Sequence, residues 1–327
     1  MSHRVTKITI VVAAIATMGL VALSASAAPP AQGDPQRGAY ILSLGGGCLC
    51  HTAEAGFLAG GLEFAGPFGA VYAKNITPDS ETGIGDWTDQ EISDAIRLGK
   101  RPDGTQLFPI HLYYTFSGIA DQDVQDLVAF LRTVEPVKNA VPERELTVPV
   151  APFEPWAAAP AVAPTEGLER GQYLVNTISH CGACHTPQMP DGSPDMSKLQ
   201  AGWFYPGVGL VPNITPDEET GIGTWTEEQI ATYLRTGVEP DGSEAGGLMA
   251  LSVQVGYKDM TEADALAIAA YLKTIPAVKN VPQAPPELPV TGGATSSGPM
   301  VVGLLALLGG VAVLAGFVLR RWRYRRV

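Results

Sequence analysis

Two short cysteine–histidine segments are the residues best suited to chemistry in this chain of 327 residues. In the second half, Cys181-Gly-Ala-Cys184-His185 has the C-x-x-C-H spacing of c-type haem attachment. This spacing presents two thiols to the two vinyl groups of a haem, and the adjacent imidazole can bind the iron. A zinc half-site would need two further ligands, and a redox dithiol would leave His185 without a role. The segment predicts one covalently bound haem c, attached at Cys181 and Cys184 and ligated by His185.

The first half departs from this spacing. Its segment reads Gly47-Cys48-Leu-Cys50-His51, so only one residue separates the two cysteines. A C-x-C pair cannot reach both vinyl groups in the usual geometry. We predict a second haem c, joined by one thioether to Cys50 and ligated by His51, with Cys48 either forming a strained second link or staying free. The alternative is a first half that carries no haem.

The sixth iron ligand sets the redox behaviour, because a thioether raises the potential and a second imidazole generally lowers it. In the second half, Met249 follows two glycines and precedes the last predicted helix; Met260 is an alternative, but it abuts that helix. The first half has no methionine after its cysteine–histidine segment and only one further histidine, His111. We therefore predict Met249 as a ligand of the second haem and His111 as a ligand of the first, which would have the lower potential.

An internal duplication organises the chain. The segment from Asn75 to Asp79 recurs from Asn213 to Asp217, an offset of 138 residues. The same offset relates Trp87 to Trp225. Two copies are too few for a solenoid, which needs at least about three repeats. We expect two similar domains at residues 28–140 and 165–280, joined by a Pro- and Ala-rich linker at 141–164.

Each copy has the apolar spacing of helices and no clear strand alternation. The spacing predicts helices at 37–44, 89–98, 121–134 and 261–275. Asp121 and Thr261 are the expected N-caps of the last two. The sequence therefore predicts an all-α fold.

Both ends are apolar. Residues 1–27 have the basic start, apolar run and Ala-Ser-Ala ending of a secretory signal peptide. Residues 300–319 are uncharged and long enough for a transmembrane helix, and residues 320–327 form a tail with five arginines, typical of the cytoplasmic side. We expect the chain between these ends to lie on the outer face of the cytoplasmic membrane. Within the second linker, 281–299, the segment Leu288-Pro-Val-Thr-Gly292 resembles a sortase signal, so cell-wall attachment is as consistent with the sequence as a simple anchor.

The chain is acidic, with 33 acidic against 21 basic residues and a formal net charge of −12. Seven of the basic residues lie in the two apolar ends, so the part between them is more acidic still. Such a charge disfavours nucleic acid and favours a basic docking partner.

Several segments resemble one protein family. They are Arg37-Gly-x-Tyr and Arg170-Gly-x-Tyr before each haem segment, Asn-Ile-Thr-Pro-Asp, Gly-Ile-Gly-x-Trp-Thr and Pro-Asp-Gly. Together they resemble the tandem class I cytochrome c domains of the cytochrome subunits of membrane-associated alcohol, gluconate and sorbitol dehydrogenases. In that family a methionine stands where this chain has His111, which implies that His111 is a replacement ligand.

This resemblance implies an electron carrier rather than an enzyme. The expected donor is an extracytoplasmic dehydrogenase, and the expected acceptor is an oxidase or another cytochrome of the respiratory chain. The competing hypothesis is a haem enzyme, peroxidase-like or thiosulfate-oxidising, that works at the His-ligated haem. A ferric spectrum separates the two, because a carrier has two low-spin haems and an enzyme has one open to ligands.

Overall fold

The computed structural model describes residues 33–153, 155, 158–189, 194–205 and 208–283. Its α-helices are α1 (Pro35–Leu44), α2 (Asp89–Leu98), α3 (Tyr113–Phe116), α4 (Asp121–Thr133), α5 (Gly167–Tyr173), α6 (Cys181–His185), α7 (Glu227–Thr236), α8 (Gly247–Val255) and α9 (Glu262–Leu272). Its strands are β1 (Glu63–Gly66), β2 (Gly69–Tyr72), β3 (Glu145–Leu146), β4 (Trp203–Tyr205) and β5 (Gly209–Val211). Turns of 3₁₀-helix at Gly46–His51, Pro109–His111, Met196–Lys198 and Tyr257–Asp259 and a π-helical turn at Leu174–Ile178 complete the list.

The expectation of an all-α fold is wrong. Strand β2 pairs antiparallel with both β1 and β3, and β4 pairs antiparallel with β5. These strands have only two to four residues. A segment this short contains too few positions for an apolar–polar alternation to stand out in the sequence.

The expected transmembrane helix is likewise not supported. Among the described residues, no helix combines the length and the apolar character that a membrane crossing requires. The segment 300–319, the tail 320–327, the signal segment 1–27 and the sortase-like motif at 288–292 all lie outside the described residues.

The helices of each copy begin and end at residues that the sequence marks clearly. Thr88 accepts a hydrogen bond from the N–H of Glu91, whose side chain in turn accepts from the N–H of Thr88, so α2 begins with a capping box. Thr226 and Gln229 form the same box at the start of α7. The C-cap of helix α2 is Gly99, which has the left-handed backbone (φ 62°) that glycine adopts without strain.

The predicted helical segments correspond to helices in the structure, with small differences at their ends. Helix α2 has the predicted bounds. Thr261 caps α9 and accepts from the N–H of Asp264, as expected. Asp121 is not an N-cap: Ala120 occupies that position, and Asp121 is the first residue of α4.

Residues of both copies contribute to one hydrophobic core, here called the shared cluster. It joins Ile41, Leu44, Ile119 and Val124 of the first copy to Leu174, Ile178, Leu234, Met260 and Ile268 of the second. A second cluster is confined to the first copy and contains Leu42, Leu58, Ile84, Ile92, Leu127, Val128 and Leu131. The two copies therefore bury apolar surface against each other, although their boundaries as separate domains remain a prediction.

The segment between the copies is in contact with the first copy. Strand β3 extends the sheet of the first copy, and the N–H of Asp121 donates to the carbonyl of Pro160. Ala163 is buried in the shared cluster. These contacts connect the segment to the start of α4.

Two glycines allow the first helix of each copy to touch the last. A Cβ atom added to Gly38 would lie 1.9 Å from the carbonyl oxygen of Asp126 in α4. A Cβ atom on Gly171 would lie 1.9 Å from the carbonyl oxygen of Ala267 in α9. Both belong to the Arg-Gly-x-Tyr segments, so the glycine in that segment is explained by backbone contact between helices.

Replacing Gly38 with alanine is expected to destabilise the protein by about 3 kcal/mol, because the methyl group has no room without separating α1 from α4. Urea unfolding followed by circular dichroism measures this. The control is Gly45→Ala at the end of the same helix, where the nearest atom to the added Cβ would be 3.4 Å away. Equal unfolding midpoints for the two variants would show that the close approach does not matter.

Candidate functional site

The predicted ligands of the first copy surround a single large cavity. Its volume is about 570 Å³, within the roughly 300–1,000 Å³ typical of ligand and cofactor sites. Cys48, Cys50, His51 and His111 all line it. Most of the remaining wall is apolar, and includes Trp87, Ile92, Ile96, Leu127 and Leu131.

His51 ends the 3₁₀ turn Gly46–His51, and its ring is fixed by one hydrogen bond. Its Nδ1 lies 2.6 Å from the carbonyl oxygen of Lys74. Because a carbonyl only accepts, Nδ1 carries the proton and Nε2 is free to bind a metal. Burial lowers the pKa of His51 despite this hydrogen bond, which favours the neutral form that ligates metals.

His111 lies opposite His51. The two ring centroids are 6.4 Å apart and the ring planes are nearly perpendicular, at 81°. Two imidazoles that each bind one metal ion at about 2 Å have ring centroids roughly 6 Å apart. The two imidazoles are therefore spaced as they would be if they held one metal ion between them.

No hydrogen bond to Nδ1 orients the His111 ring. Nδ1 of His111 is buried without a partner, and the ring packs against Tyr113 and Phe116 instead. Burial, with a smaller effect from His51, lowers the pKa of His111 to about 3. A buried imidazole that is neutral and lacks a partner is unusual outside a functional site.

The attachment segment of the first copy has an unusual backbone. Gly46, Gly47 and Cys48 follow one another with φ values of 77°, 66° and 49°. Cysteine is strained in this left-handed region, whereas glycine is not. Cys48 packs against the first-copy cluster, and Cys50 is exposed at the cavity edge. Both cysteines therefore line the cavity, Cys48 from its apolar wall and Cys50 from its exposed edge.

The second copy repeats the arrangement around helix α6. Nδ1 of His185 lies 2.8 Å from the carbonyl oxygen of Pro212, the residue that corresponds to Lys74. Burial lowers the pKa of His185 as it does for His51. Cys181 packs against the shared cluster, and the indole of Trp203 donates to the carbonyl of Cys184. The residues thus fit a second group held in the same way.

Met249 occupies the position that corresponds to His111. The N–H of Leu107 donates to the carbonyl of Gly99, and at an offset of 138 the N–H of Ala245 donates to the carbonyl of Gly237. Counting four residues on from Leu107 and Ala245 gives His111 and Met249. Met249 is half-buried in α8 and packs against the shared cluster. Met260 is 1 % exposed within that cluster, as expected of a core side chain.

The described residues contain no group of three or more His, Cys, Asp or Glu side chains that could hold a metal ion by themselves. The four cysteines of the cysteine–histidine segments are free thiols rather than disulfides.

Sequence reasoning missed the carbonyls of Lys74 and Pro212, which orient the two imidazoles. A signal for them existed, because each directly precedes the repeated Asn-Ile-Thr-Pro-Asp segment. It also missed His180, a half-buried residue with a left-handed backbone (φ 38°) next to Cys181. Nothing in the sequence distinguishes His180 from an ordinary surface histidine.

The repeated asparagines hold these carbonyl segments in place. Asn75 is 2 % exposed, donates to Thr82 Oγ1 and to the carbonyl of Val137, and accepts from the N–H and hydroxyl of Thr77. Asn213 makes the same four bonds in the second copy. Each amide thereby ties the loop under the imidazole to the segment after the last helix.

Several known proteins are similar to this chain in sequence. No family model matches the chain. It is 37% identical over 266 residues to a protein named "Diheme cytochrome c-type" of Cereibacter sphaeroides, an alignment that covers 76% of this chain and 88% of that protein. It is 35% identical over 256 residues to the fructose dehydrogenase cytochrome subunit of Gluconobacter japonicus, which covers 74% of this chain and 52% of the relative.

A third relative is the cytochrome c subunit of the quinone-type alcohol dehydrogenase of Gluconobacter oxydans. It is 34% identical over 286 residues, covering 80% of this chain and 60% of the relative. The chain thus spans about half to three fifths of the length of these two dehydrogenase subunits.

Replacing Asn75 with aspartate is expected to destabilise the protein by about 3 kcal/mol, because a carboxylate cannot donate to Val137 and Thr82 and stays buried beside their oxygens. Urea unfolding, with the Soret spectrum of the folded state, measures the effect. The control is Asn176→Asp, an exposed amide that donates to the hydroxyl of Tyr271. A control that loses as much stability as Asn75→Asp would contradict the role assigned to the buried network.

Proposed function

The chain belongs to the family of dihaem c-type cytochromes, electron-transfer proteins with two covalently bound haem c groups, and on that premise we propose that it relays single electrons from a dehydrogenase towards the respiratory chain. The observation that carries the proposal is that the rings of His51 and His111 line one cavity, with their centroids 6.4 Å apart. Each haem iron supplies a reversible one-electron change between the ferrous and ferric states.

In the first copy, His51 and His111 are proposed to hold the iron of the haem from opposite sides of the cavity. Lys74 keeps Nε2 of His51 available, and most of the cavity wall is apolar. An iron held by both imidazoles would have no position left for a substrate or a peroxide. This supports a carrier over a haem enzyme.

In the second copy, His185 and Met249 are the proposed ligands. Pro212 orients His185, and the equivalence of Met249 with His111 supports its assignment. A methionine ligand raises the potential relative to a second imidazole. The two haems would then differ in potential, the first being lower, which gives electron flow through the molecule a direction.

The attachment of the two haems is proposed to differ as well. A thioether forms when a thiol adds across a vinyl group, so sulfur and hydrogen are both retained and nothing is oxidised. Cys181 and Cys184 have the spacing for two such bonds. In the first copy Cys50 is the proposed attachment residue, and the strained backbone and apolar packing of Cys48 favour one thioether there.

The proposed donor is a dehydrogenase, since several relatives are named as cytochrome subunits of dehydrogenases. The proposed acceptor is an oxidase or another cytochrome. The net charge of −12 favours partners that present a basic surface and disfavours nucleic acid.

Replacing His111 with methionine is expected to raise the potential of the lower-potential haem, because a thioether then replaces an imidazole. A spectroscopic redox titration should show two separate midpoints in the wild type and closer midpoints in the variant. The matched control is Met249→His, which should lower the other midpoint. Two equal, high potentials in the wild type would contradict the proposed ligands.

The ferric spectrum of the wild type tests the carrier function itself. Two low-spin haems are expected. A high-spin haem that takes up added cyanide or imidazole would favour the enzyme over the carrier.

Replacing Cys48 with alanine is expected to leave two haems attached, whereas Cys50→Ala should leave one. Mass spectrometry of the denatured protein counts the haems that stay bound to the polypeptide. Cys184→Ala serves as the comparison, since Cys181 can still hold the second haem. Loss of the first haem from Cys48→Ala would contradict the single thioether at Cys50.

A further inference from the structure

Two hydroxyl groups make reciprocal contacts between the copies. The hydroxyl of Tyr40, in α1 of the first copy, donates to Oδ2 of Asp264 in α9 of the second, at 2.7 Å. It also accepts from the N–H of Thr261, at 3.1 Å. The first helix of one copy is thereby joined to the start of the last helix of the other.

Tyr173, in the second copy, makes the equivalent two bonds to the last helix of the first copy. Its hydroxyl donates to Oδ2 of Asp123 at 2.8 Å and accepts from the N–H of Ala120 at 3.0 Å. Tyr40 and Tyr173 are the tyrosines of the two Arg-Gly-x-Tyr segments. Ala120 and Thr261 are both N-cap residues, and Asp123 and Asp264 are both third in their helices.

The contact is therefore reciprocal in the manner of a twofold dimer interface, in which residue i meets j and j meets i. Each aspartate also binds the arginine of its own copy. Arg37 pairs with Asp123 and Asp126, and Arg170 pairs with Asp264 through two bonds of 2.8 Å.

Both aspartates are buried, with exposed fractions of 1 % for Asp123 and 7 % for Asp264. Burial alone would raise the pKa of Asp264, but hydrogen bonds from Arg170 and Tyr40 and the charge of Arg170 outweigh it, and the pKa lies below its ordinary value. Tyr40 therefore donates to an ionised oxygen, and such bonds are among the stronger ones.

These contacts lie next to both haem-attachment segments. Helix α1, which carries Tyr40, leads directly into the turn Gly46–His51. Helix α5, which carries Tyr173, leads through the turn Leu174–Ile178 into α6 with Cys181 and His185. A shift of either helix would therefore move the attachment segment that follows it.

The two attachment regions meet across the interface. The ring of Phe116, which packs against His111, lies 5.4 Å from the ring of His180, the residue before Cys181. A side-chain carbon of Val255 lies 3.8 Å from the position that a Cβ atom on Gly47 would occupy. The two proposed haem sites are thus separated by a few packed side chains rather than by solvent.

We propose that Tyr40 and Tyr173 are positioning residues for electron exchange between the two haems, because their reciprocal bonds to Asp264 and Asp123 fix the separation and orientation of the two attachment segments. This inference rests on the proposed carrier function. It assigns the Arg-Gly-x-Tyr segments a role that their helical packing alone does not require, since a phenylalanine would pack equally well.

The test compares the double variant Tyr40→Phe/Tyr173→Phe with the control Tyr271→Phe in the holoprotein. The hydroxyl of Tyr271 accepts a hydrogen bond from Asn176, and both residues belong to the second copy. This bond therefore does not join the two copies. Two quantities are measured: the exciton couplet of the two haems in Soret circular dichroism, and the rate of electron exchange between the haems after rapid one-electron reduction.

The double variant should lose most of the couplet and exchange electrons more than about twofold more slowly, because the electronic coupling between the haems depends on the separation and orientation that these contacts fix. The control should match the wild type. A couplet and a rate that stay within twofold of the wild type would overturn the proposal, even if the variant unfolds at lower urea. If the double variant does not accumulate, the single variants are measured, and wild-type values in both overturn it.

A haem count and ferric spectrum of each variant separate this outcome from failure of the carrier function. Two covalent, low-spin haems with an unchanged exchange rate would refute only the positioning role. A wild type with fewer than two haems, or with a high-spin haem, would refute the proposed function instead.

Discussion

The hydrogen bond from each haem-segment imidazole to a main-chain carbonyl is the constraint on which both sites depend. Lys74 and Pro212 supply these carbonyls to His51 and His185. The bond selects one tautomer, sets the plane of the ring and directs Nε2 into the site. The hydrogen bond can fix the imidazole only if the carbonyl is itself held in place. The Asn75 and Asn213 networks, which join the carbonyl loop to the segment after the last helix, provide that rigidity.

The residues that could be predicted from the sequence are those whose chemistry depends on local spacing. The pair Cys181 and Cys184 is one turn apart in any helical segment, and the capping residues of α2 act within four positions. What escaped prediction depends on distant partners. The short strands pair through main-chain bonds between segments that show no periodicity, and β3 joins a sheet from 73 or more residues further along the chain. The shared cluster could not be predicted either, because the sequence of an apolar helix face does not show whether that face packs against its own copy or against the other.

The site shows the same division. His111 could be proposed from the sequence because the first copy contains no methionine after its haem segment, yet its distance from His51 emerges only from the fold. The N-cap of α4 shows how local rules can mislead by one residue. Asp121 is a good capping residue, but the hydroxyl of Tyr173 accepts a hydrogen bond from the N–H of Ala120, and Ala120 is the N-cap, so the helix begins one position earlier than it would with Asp121 as its cap.

The reciprocal tyrosine–aspartate contacts have a consequence for the origin of the chain. Each copy carries both the tyrosine and the aspartate on one face, so that face is complementary to itself. A single domain with the same face has what a homodimer needs, two identical tyrosine–aspartate pairs around a twofold axis. A connector such as residues 141–164 is then enough to hold two such domains in one chain. Once the copies shared one chain, each could change without changing the other, and a histidine and a methionine could come to stand at equivalent positions.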